Sequence, residues 1–272
     1  MRTKSMAVIR IAGWILSGLF LIWLYVMYME HFGIYYPLED ITDTPASIGL
    51  KYKDVTINTN DGETLRGWYL PAVENNRIIL FFSGNAGNRS YRLDKLQILL
   101  DLNVSLLIAD YRGYGGSTGR PSEKGLYEDG RSIWKHAVND MDYSPEDIIL
   151  YGESLGGAVA VDVSKQKDVG AVIIEGTMSS GRDMARQILP FIPRFMVSDI
   201  YNSRKKVPHI NTPLLILHSR KDAIIPYEQG KKLYEAAQEP VRIATLKGDH
   251  NHAFLEDQQT YRKAIEDFLQ DF

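Results

Sequence analysis

Cysteine is absent from the 272 residues. That excludes a disulfide framework, thiolate metal sites and a cysteine nucleophile, and it leaves the redox compartment open, because a thiol-free chain suits either. No run of Lys and Arg tracks a groove either, and a net charge of -3 with a pI near 6.1 gives no electrostatic footprint for nucleic acid, so no nucleic-acid partner is expected. No G-x-x-x-x-G-K-[ST] occurs, and in the glycine-rich stretch 113–118 Thr118 stands where G-x-G-x-x-G needs its last glycine. No helical H-E-x-x-H spacing is present either, so neither a phosphate loop nor a zinc site is expected, and no metal or cofactor is called for. Internal repeats and low-complexity segments are lacking. What remains is ordinary globular material, 44% hydrophobic and 24% charged, enough for one sizeable core.

The exception is the beginning. Residues 11–29 carry no charge and are mostly large and apolar, from Trp14 through Leu24. About 20 such residues cross a bilayer as a helix, and no A-x-A-like cleavage site follows, so an uncleaved anchor is expected. Arg2, Lys4 and Arg10 precede the span, while Glu30, Glu39, Asp40 and Asp43 follow it with no Lys or Arg until Lys51. By the positive-inside rule the N-terminus is cytoplasmic and the body lies on the other side. Trp23, Tyr25, Tyr28, Tyr35 and Tyr36 suit an interfacial aromatic belt.

The expected organisation is an N-terminus and anchor over 1–30, a Pro-marked linker over 31–50 and a catalytic domain over 51–272. Apolar runs at 78–82, 104–109, 148–151, 169–174, 214–218 and 241–246 alternate with helical patterns at 92–102, 127–138, 158–165 and 229–237. This alternation predicts an α/β domain on a mostly parallel sheet, joined by a hairpin (55–58 and 65–70) around Asn60-Asp61-Gly62, about eight strands in all. One insert, 177–208, interrupts the pattern and reads as a small lid. Its Met184, Ile188, Leu189, Phe191, Ile192, Phe195 and Met196 suit an acyl pocket near the bilayer or a helix packed on the core.

Gly152-Glu153-Ser154-Leu155-Gly156 matches the nucleophile elbow G-x-S-x-G, in which a sharp strand-to-helix turn needs glycine at both flanks and raises the serine hydroxyl. The buried run 148–151 precedes it, and the small residues from Gly157 to Val161 follow it as a tightly packed helix. Serine needs a base, and a histidine oriented by a carboxylate supplies one. In this chain order the acid comes before the histidine. Asp222 follows the run 214–218, and His250 follows the run 241–246, with His252 as the alternative base and Glu175 as the backup acid. His218 is expected to shape the pocket, and His31, His136 and His209 to be surface or packing residues. Asp249, His250, His252 and Asp222 also allow a metal reading, but without supporting spacing. Two backbone N–H groups are needed for an oxyanion, and Leu155 and Asn85 are the candidates, the latter in the loop 83–88.

With these segments the sequence resembles the α/β-hydrolase superfamily, and within it the membrane-anchored branch related to the yeast bud-emergence protein. The resemblance covers about 55–272 and rests on 83–88 (SGNAGN), 110–117 (DYRGYGGS), 152–156 and 248–251 (GDHN). Similar proteins usually carry His where this chain has Ser83, and often Asp where it has His252. The resemblance implies an α/β-hydrolase fold and a serine hydrolase acting on a small-molecule ester or acyl thioester, possibly lipid-like, with the membrane as partner through the N-terminal helix. Asn88-Arg89-Ser90 is a glycosylation sequon in the oxyanion loop, which tilts the expected setting toward a bacterial envelope.

Overall fold

The structure, a computed structural model, describes residues 2–73, 75–188 and 190–271; side chains at 2–5 and 8, Arg2 and Lys4 among them, lie outside the description, as does Leu189 of the insert. Helix α1 (Arg2–Tyr28) continues into one wide turn, Met29–Gly33. Its apolar stretch Ile9–Gly33 is 25 residues, long and apolar enough to cross a membrane, about 37 Å at the helical rise. No polar face interrupts it, and most of its apolar side chains are exposed.

A short strand β1 (Tyr36–Pro37) follows and pairs in parallel with β5 (Ala86–Gly87). The main sheet has eight strands. β2 (Lys53–Asn58) and β3 (Thr64–Leu70) form the expected antiparallel hairpin. β4 (Ile78–Phe82), β6 (Ser105–Ala109), β7 (Ile148–Glu153), β8 (Ala171–Glu175), β9 (Leu214–Ser219) and β10 (Val241–Leu246) run parallel, and the order across the sheet is β10-β9-β8-β7-β4-β6-β3-β2. The parallel strands are buried and mostly apolar because helices cover both faces, except at the edge strand β10, where Arg242 and Thr245 are exposed. Along the strands, side chains alternate between two cores. Leu80, Leu107, Leu150 and Ile174 meet α3 (Glu123–Asn139), α4 (Leu155–Gln166) and α6 (Tyr227–Ala236) on one face. Phe81, Ile108, Tyr151 and Ile173 meet α2 (Leu93–Leu100), α7 (Ala253–Glu256) and α8 (Gln258–Leu269) on the other.

This is the expected fold: an α/β, mostly parallel eight-stranded sheet flanked by helices, preceded by one long apolar helix. The insert contains α5 (Gly181–Ile188) and two short turns, Arg194–Met196 and Val207–His209. Tyr35 departs from the expected aromatic belt. It is buried, and its hydroxyl is 2.6 Å from that of Tyr201, whereas Tyr25, Tyr28 and Tyr36 are exposed.

Candidate active site

The C-terminal ends of the parallel strands carry the chemistry, as open α/β sheets favour. β7 ends at Glu153 and α4 begins at Leu155, leaving Ser154 alone in the corner with φ 54° and ψ -115°. That left-handed conformation costs a non-glycine residue about 1–3 kcal/mol, so its surroundings must impose it. They do so by close approach: a Cβ on Gly156 would collide with the Phe82 carbonyl, and one on Gly152 with the backbone of Gly156 and Gly157. The Ser154 N–H donates to the Glu175 carbonyl at 2.7 Å, tying the corner to β8.

Asp222 and His250 reach the same corner from the loops after β9 and β10. The Asp222 Oδ1 accepts from the N–H groups of Ile224 (2.9 Å) and Ile225 (2.7 Å), which fixes the carboxylate. Its Oδ2 lies 2.6 Å from His250 Nδ1, and His250 Nε2 lies 3.1 Å from Ser154 Oγ. With the carboxylate accepting at Nδ1, the imidazole proton sits there, and Nε2 is free to accept from the serine hydroxyl. Gly176 (φ +54°) passes close to the imidazole, and Ser219 Oγ donates to the Gly248 carbonyl, linking the acid loop to the histidine loop.

The alternatives named from the sequence go elsewhere. His252 is exposed and 3.0 Å from Asp249, and that pair lies at the surface with Glu256, apart from Asp222 and His250. The metal reading of Asp222, Asp249, His250 and His252, set aside from the sequence for want of spacing, would need four groups that do not form one cluster among the described residues. Glu175 bonds through its carboxylate to Lys95 (2.6 Å) and Tyr151 (2.5 Å) rather than to His250. His218 is wholly buried and donates from Nε2 to the Ile225 carbonyl at 2.8 Å, supporting the acid loop; burial pushes its pKa below 6.5.

Leu155 opens α4, so its N–H is among the first-turn groups without an intrahelical acceptor. Gly84 passes over Ser154 at van der Waals distance, a Cβ there falling 3.5 Å from the serine Cβ. The next residue, Asn85, is held on three sides: its carbonyl accepts from Tyr36 N–H (3.0 Å) and Tyr114 hydroxyl (2.9 Å), and its side chain donates to the Ile34 carbonyl (2.8 Å). The stretch 110–117, one of the segments on which the resemblance rests, thus buttresses this loop. Tyr111 donates to the Ser83 carbonyl at 3.2 Å, and the Asp110 carboxylate pairs with Arg89. Asn88 is buried, and both hydrogens of its amide are used, on the carbonyls of Leu38 (3.0 Å) and Asp40 (2.7 Å). A glycan on the Asn88 amide nitrogen would displace one of these two bonds, so the folded loop is not built to accept one.

Sequence reasoning missed a buried ionic cluster beneath the corner. Lys95, 2% exposed, bridges Glu153 (2.8 Å) and Glu175 (2.6 Å), while Arg92 Nε binds the other Glu153 oxygen at 2.6 Å. Burial opposes the Glu153 charge, but Arg92 and Lys95 outweigh it and hold the carboxyl below its ordinary pKa. The two residues that flank Ser154 in the sheet, one before it and one on the neighbouring strand, are thereby locked together.

Above the serine lies a cavity of about 660 Å³, within the range of small-molecule sites. Ser154, His250, Asn85 and Leu155 line it, and most of the remaining wall is apolar. Of the insert residues named from the sequence, Met184, Ile188 and Ile192 line the cavity; Phe191 and Phe195 are exposed, and Met196 is buried. The N-terminal helix and its wide turn also contribute: Tyr25, Val26, Met29 and Glu30 form part of the wall, and Glu30 accepts from the Ser198 N–H at 2.7 Å.

A doubly covered parallel sheet, a serine at a strand-to-helix corner and a histidine and aspartate on the next loops define an α/β-hydrolase architecture. Comparison with known proteins agrees. Residues 79–204 match the alpha/beta hydrolase family model, and residues 194–271 match a TAP-like protein model. An uncharacterized protein of Mycobacterium tuberculosis is 32% identical over 98% of this chain and 96% of its own length. The alpha/beta hydrolase domain-containing protein WAV2 of Arabidopsis thaliana is 31% identical, with 84% and 82% covered, and an uncharacterized membrane protein of Saccharomyces cerevisiae is 35% identical with the same coverage. Among solved structures, a Pyrococcus furiosus esterase superposes with a TM-score of 0.73 over 88% of this chain and 98% of its own, at 18% identity. This chain belongs to the alpha/beta hydrolase family.

Proposed function

We propose that the protein is a membrane-anchored serine hydrolase that cleaves carboxylic esters or acyl thioesters. Ser154 attacks the carbonyl carbon while His250 takes its proton, and Asp222 keeps the imidazole oriented and stabilises its charged form. The N–H groups of Leu155 and Asn85 receive the oxyanion, each contributing about 3–4 kcal/mol to lowering the barrier by analogy with other oxyanion sites. The intermediate collapses to an acyl-Ser154 ester as His250 returns the proton to the leaving alcohol or thiol. Water, activated by the same imidazole, then releases the acid.

The observation that carries this reading is the unbroken line Asp222–His250–Ser154, at 2.6 and 3.1 Å, opening on an apolar cavity. Such a line has no structural purpose that would require the serine to sit strained at a cavity floor. The long apolar helix and the charges around it support membrane attachment with the body on the non-cytoplasmic side, and a yeast relative is named as a membrane protein. This favours the anchored branch of the family.

The test is hydrolysis of a short p-nitrophenyl ester by the full-length protein. Wild type turns it over; Ser154→Ala abolishes the reaction, and Asp222→Asn lowers kcat by about 10⁴-fold, as loss of the orienting carboxylate does elsewhere. Turnover of no ester, or turnover that persists in Ser154→Ala, supports a membrane-tethered scaffold or a different chemistry instead.

A further inference from the structure

The end of the anchor is part of the active-site cavity, and the position of that end bears on the substrate. Along α1 the large apolar side chains from Ile9 to Leu24 are exposed, but Val26 is only 6% exposed. The helix is therefore free where a bilayer would surround it and docks on the body at its last turns. There Val26 and Met29 face Met184 and Ile188 of α5 across the cavity whose floor holds Ser154.

The segments that line this cavity also carry large exposed apolar side chains. Phe191 is 76% exposed and Phe195 85%, on the segment that directly follows α5, while Tyr28 and Phe32 are exposed on the anchor. Large exposed side chains scattered singly need no explanation, but several on segments that meet at the end of a membrane-length apolar helix suit a surface that meets lipid. An apolar passage that starts at such a surface and ends at a nucleophile fits a hydrocarbon chain better than a water-soluble acyl donor.

We infer that the cavity takes the long acyl chain of an ester resident in the bilayer, and that the chain enters between the end of α1 and α5, so that the anchor is a wall of the binding site as well as a tether. This rests on the serine-hydrolase reading. The chain lies against Val26, Met29, Met184 and Ile188, and its carbonyl is thereby delivered to Ser154. Docking of the anchor by Glu30 on Ser198 and of the following residues by Ile34 on Asn85 couples the chain-binding wall to the oxyanion loop.

The experiment uses the full-length wild-type protein in phosphatidylcholine vesicles and a hexadecyl fluorophosphonate bearing a diazirine near the end of its chain. At Ser154 the Oγ–P bond forms, the P–F bond breaks and fluoride leaves. After irradiation, the inference requires chain cross-links within 25–30 of the anchor and 184–192 of the insert. Labelling of Ser154 with cross-links outside both segments overturns the proposed route and leaves the hydrolase reading intact, as does labelling by an ethyl fluorophosphonate but not by the hexadecyl probe. If neither probe labels Ser154, the hydrolase reading itself fails and this inference with it. In Val26→Trp/Met29→Trp, the ratio of hexadecyl to ethyl labelling should fall about tenfold or more, since each methylene kept out of an apolar site costs about fourfold in binding. An unchanged ratio also overturns the route. The cross-link map is read on wild type and does not depend on how well the variant folds.

Discussion

Ser154 occupies a backbone conformation that serine avoids, held there by glycines that let the Phe82 strand and α4 approach. This much is legible in sequence, because the elbow is a local motif and each of its glycines answers a steric need. Asp222 and His250 are legible for another reason: they follow the last two of the three apolar runs after the elbow, in the order this architecture uses. The choice between His250 and His252 is not legible. The two are separated by one residue in an irregular turn, and only the start of α7 sends His252 outward to Asp249. His218 gives a prediction at this scale. Its burial keeps the folded-state pKa below the ordinary 6.5, so as pH falls below 6.5 the unfolded chain takes up a proton that the folded chain resists. Stability should decline over that range and be regained above it. His218→Gln should show a smaller drop in urea midpoint than wild type between about pH 7.5 and about pH 5.5; equal drops would show that His218 is not the source.

Among the elements, the strands were readable because parallel strands covered on both faces leave continuous apolar runs, and all eight expected strands are present within a few residues of their expected bounds. Helix α8 is not among the expected helices, although its buried Tyr261, Ile265, Phe268 and Leu269 fall at i, i+4, i+7 and i+8. Lys95 is different. On α2 it reads as one more solvated charge beside Asp94, and its partners, Glu153 and Glu175, are 58 and 80 residues away. No local pattern reports such a contact. Its removal should be severe: Lys95→Met leaves two carboxylates facing each other in a buried site and should cost about 3–5 kcal/mol. Adding Glu153→Gln and Glu175→Gln should recover part of that loss, because the penalty lies in the uncompensated charges. Denaturant melts of the single and triple variants check this, and strictly additive losses would count against it.

For the whole molecule, the sequence discloses one helix of membrane-spanning length but not that its end lies against the body and lines the cavity. The contacts that bring residues 26–36 onto the body are made with Asn85, Ser198 and Tyr201, and long-range docking leaves no periodicity to read. Orientation rests on the charges before and after the span. Alkaline phosphatase fused to the C-terminus should be active in bacterial cells, since that reporter works only outside the cytoplasm; an inactive fusion with stable expression would reverse the topology. The claim on which the rest depends is that the hydroxyl at the β7–α4 corner is a nucleophile activated by His250. Mass spectrometry of the intact full-length protein after reaction with a small fluorophosphonate tests it most directly. The account predicts a single adduct mapped to Ser154, lost in Ser154→Ala and strongly slowed in His250→Ala; an unmodified wild type, or an adduct that survives in Ser154→Ala, would contradict it.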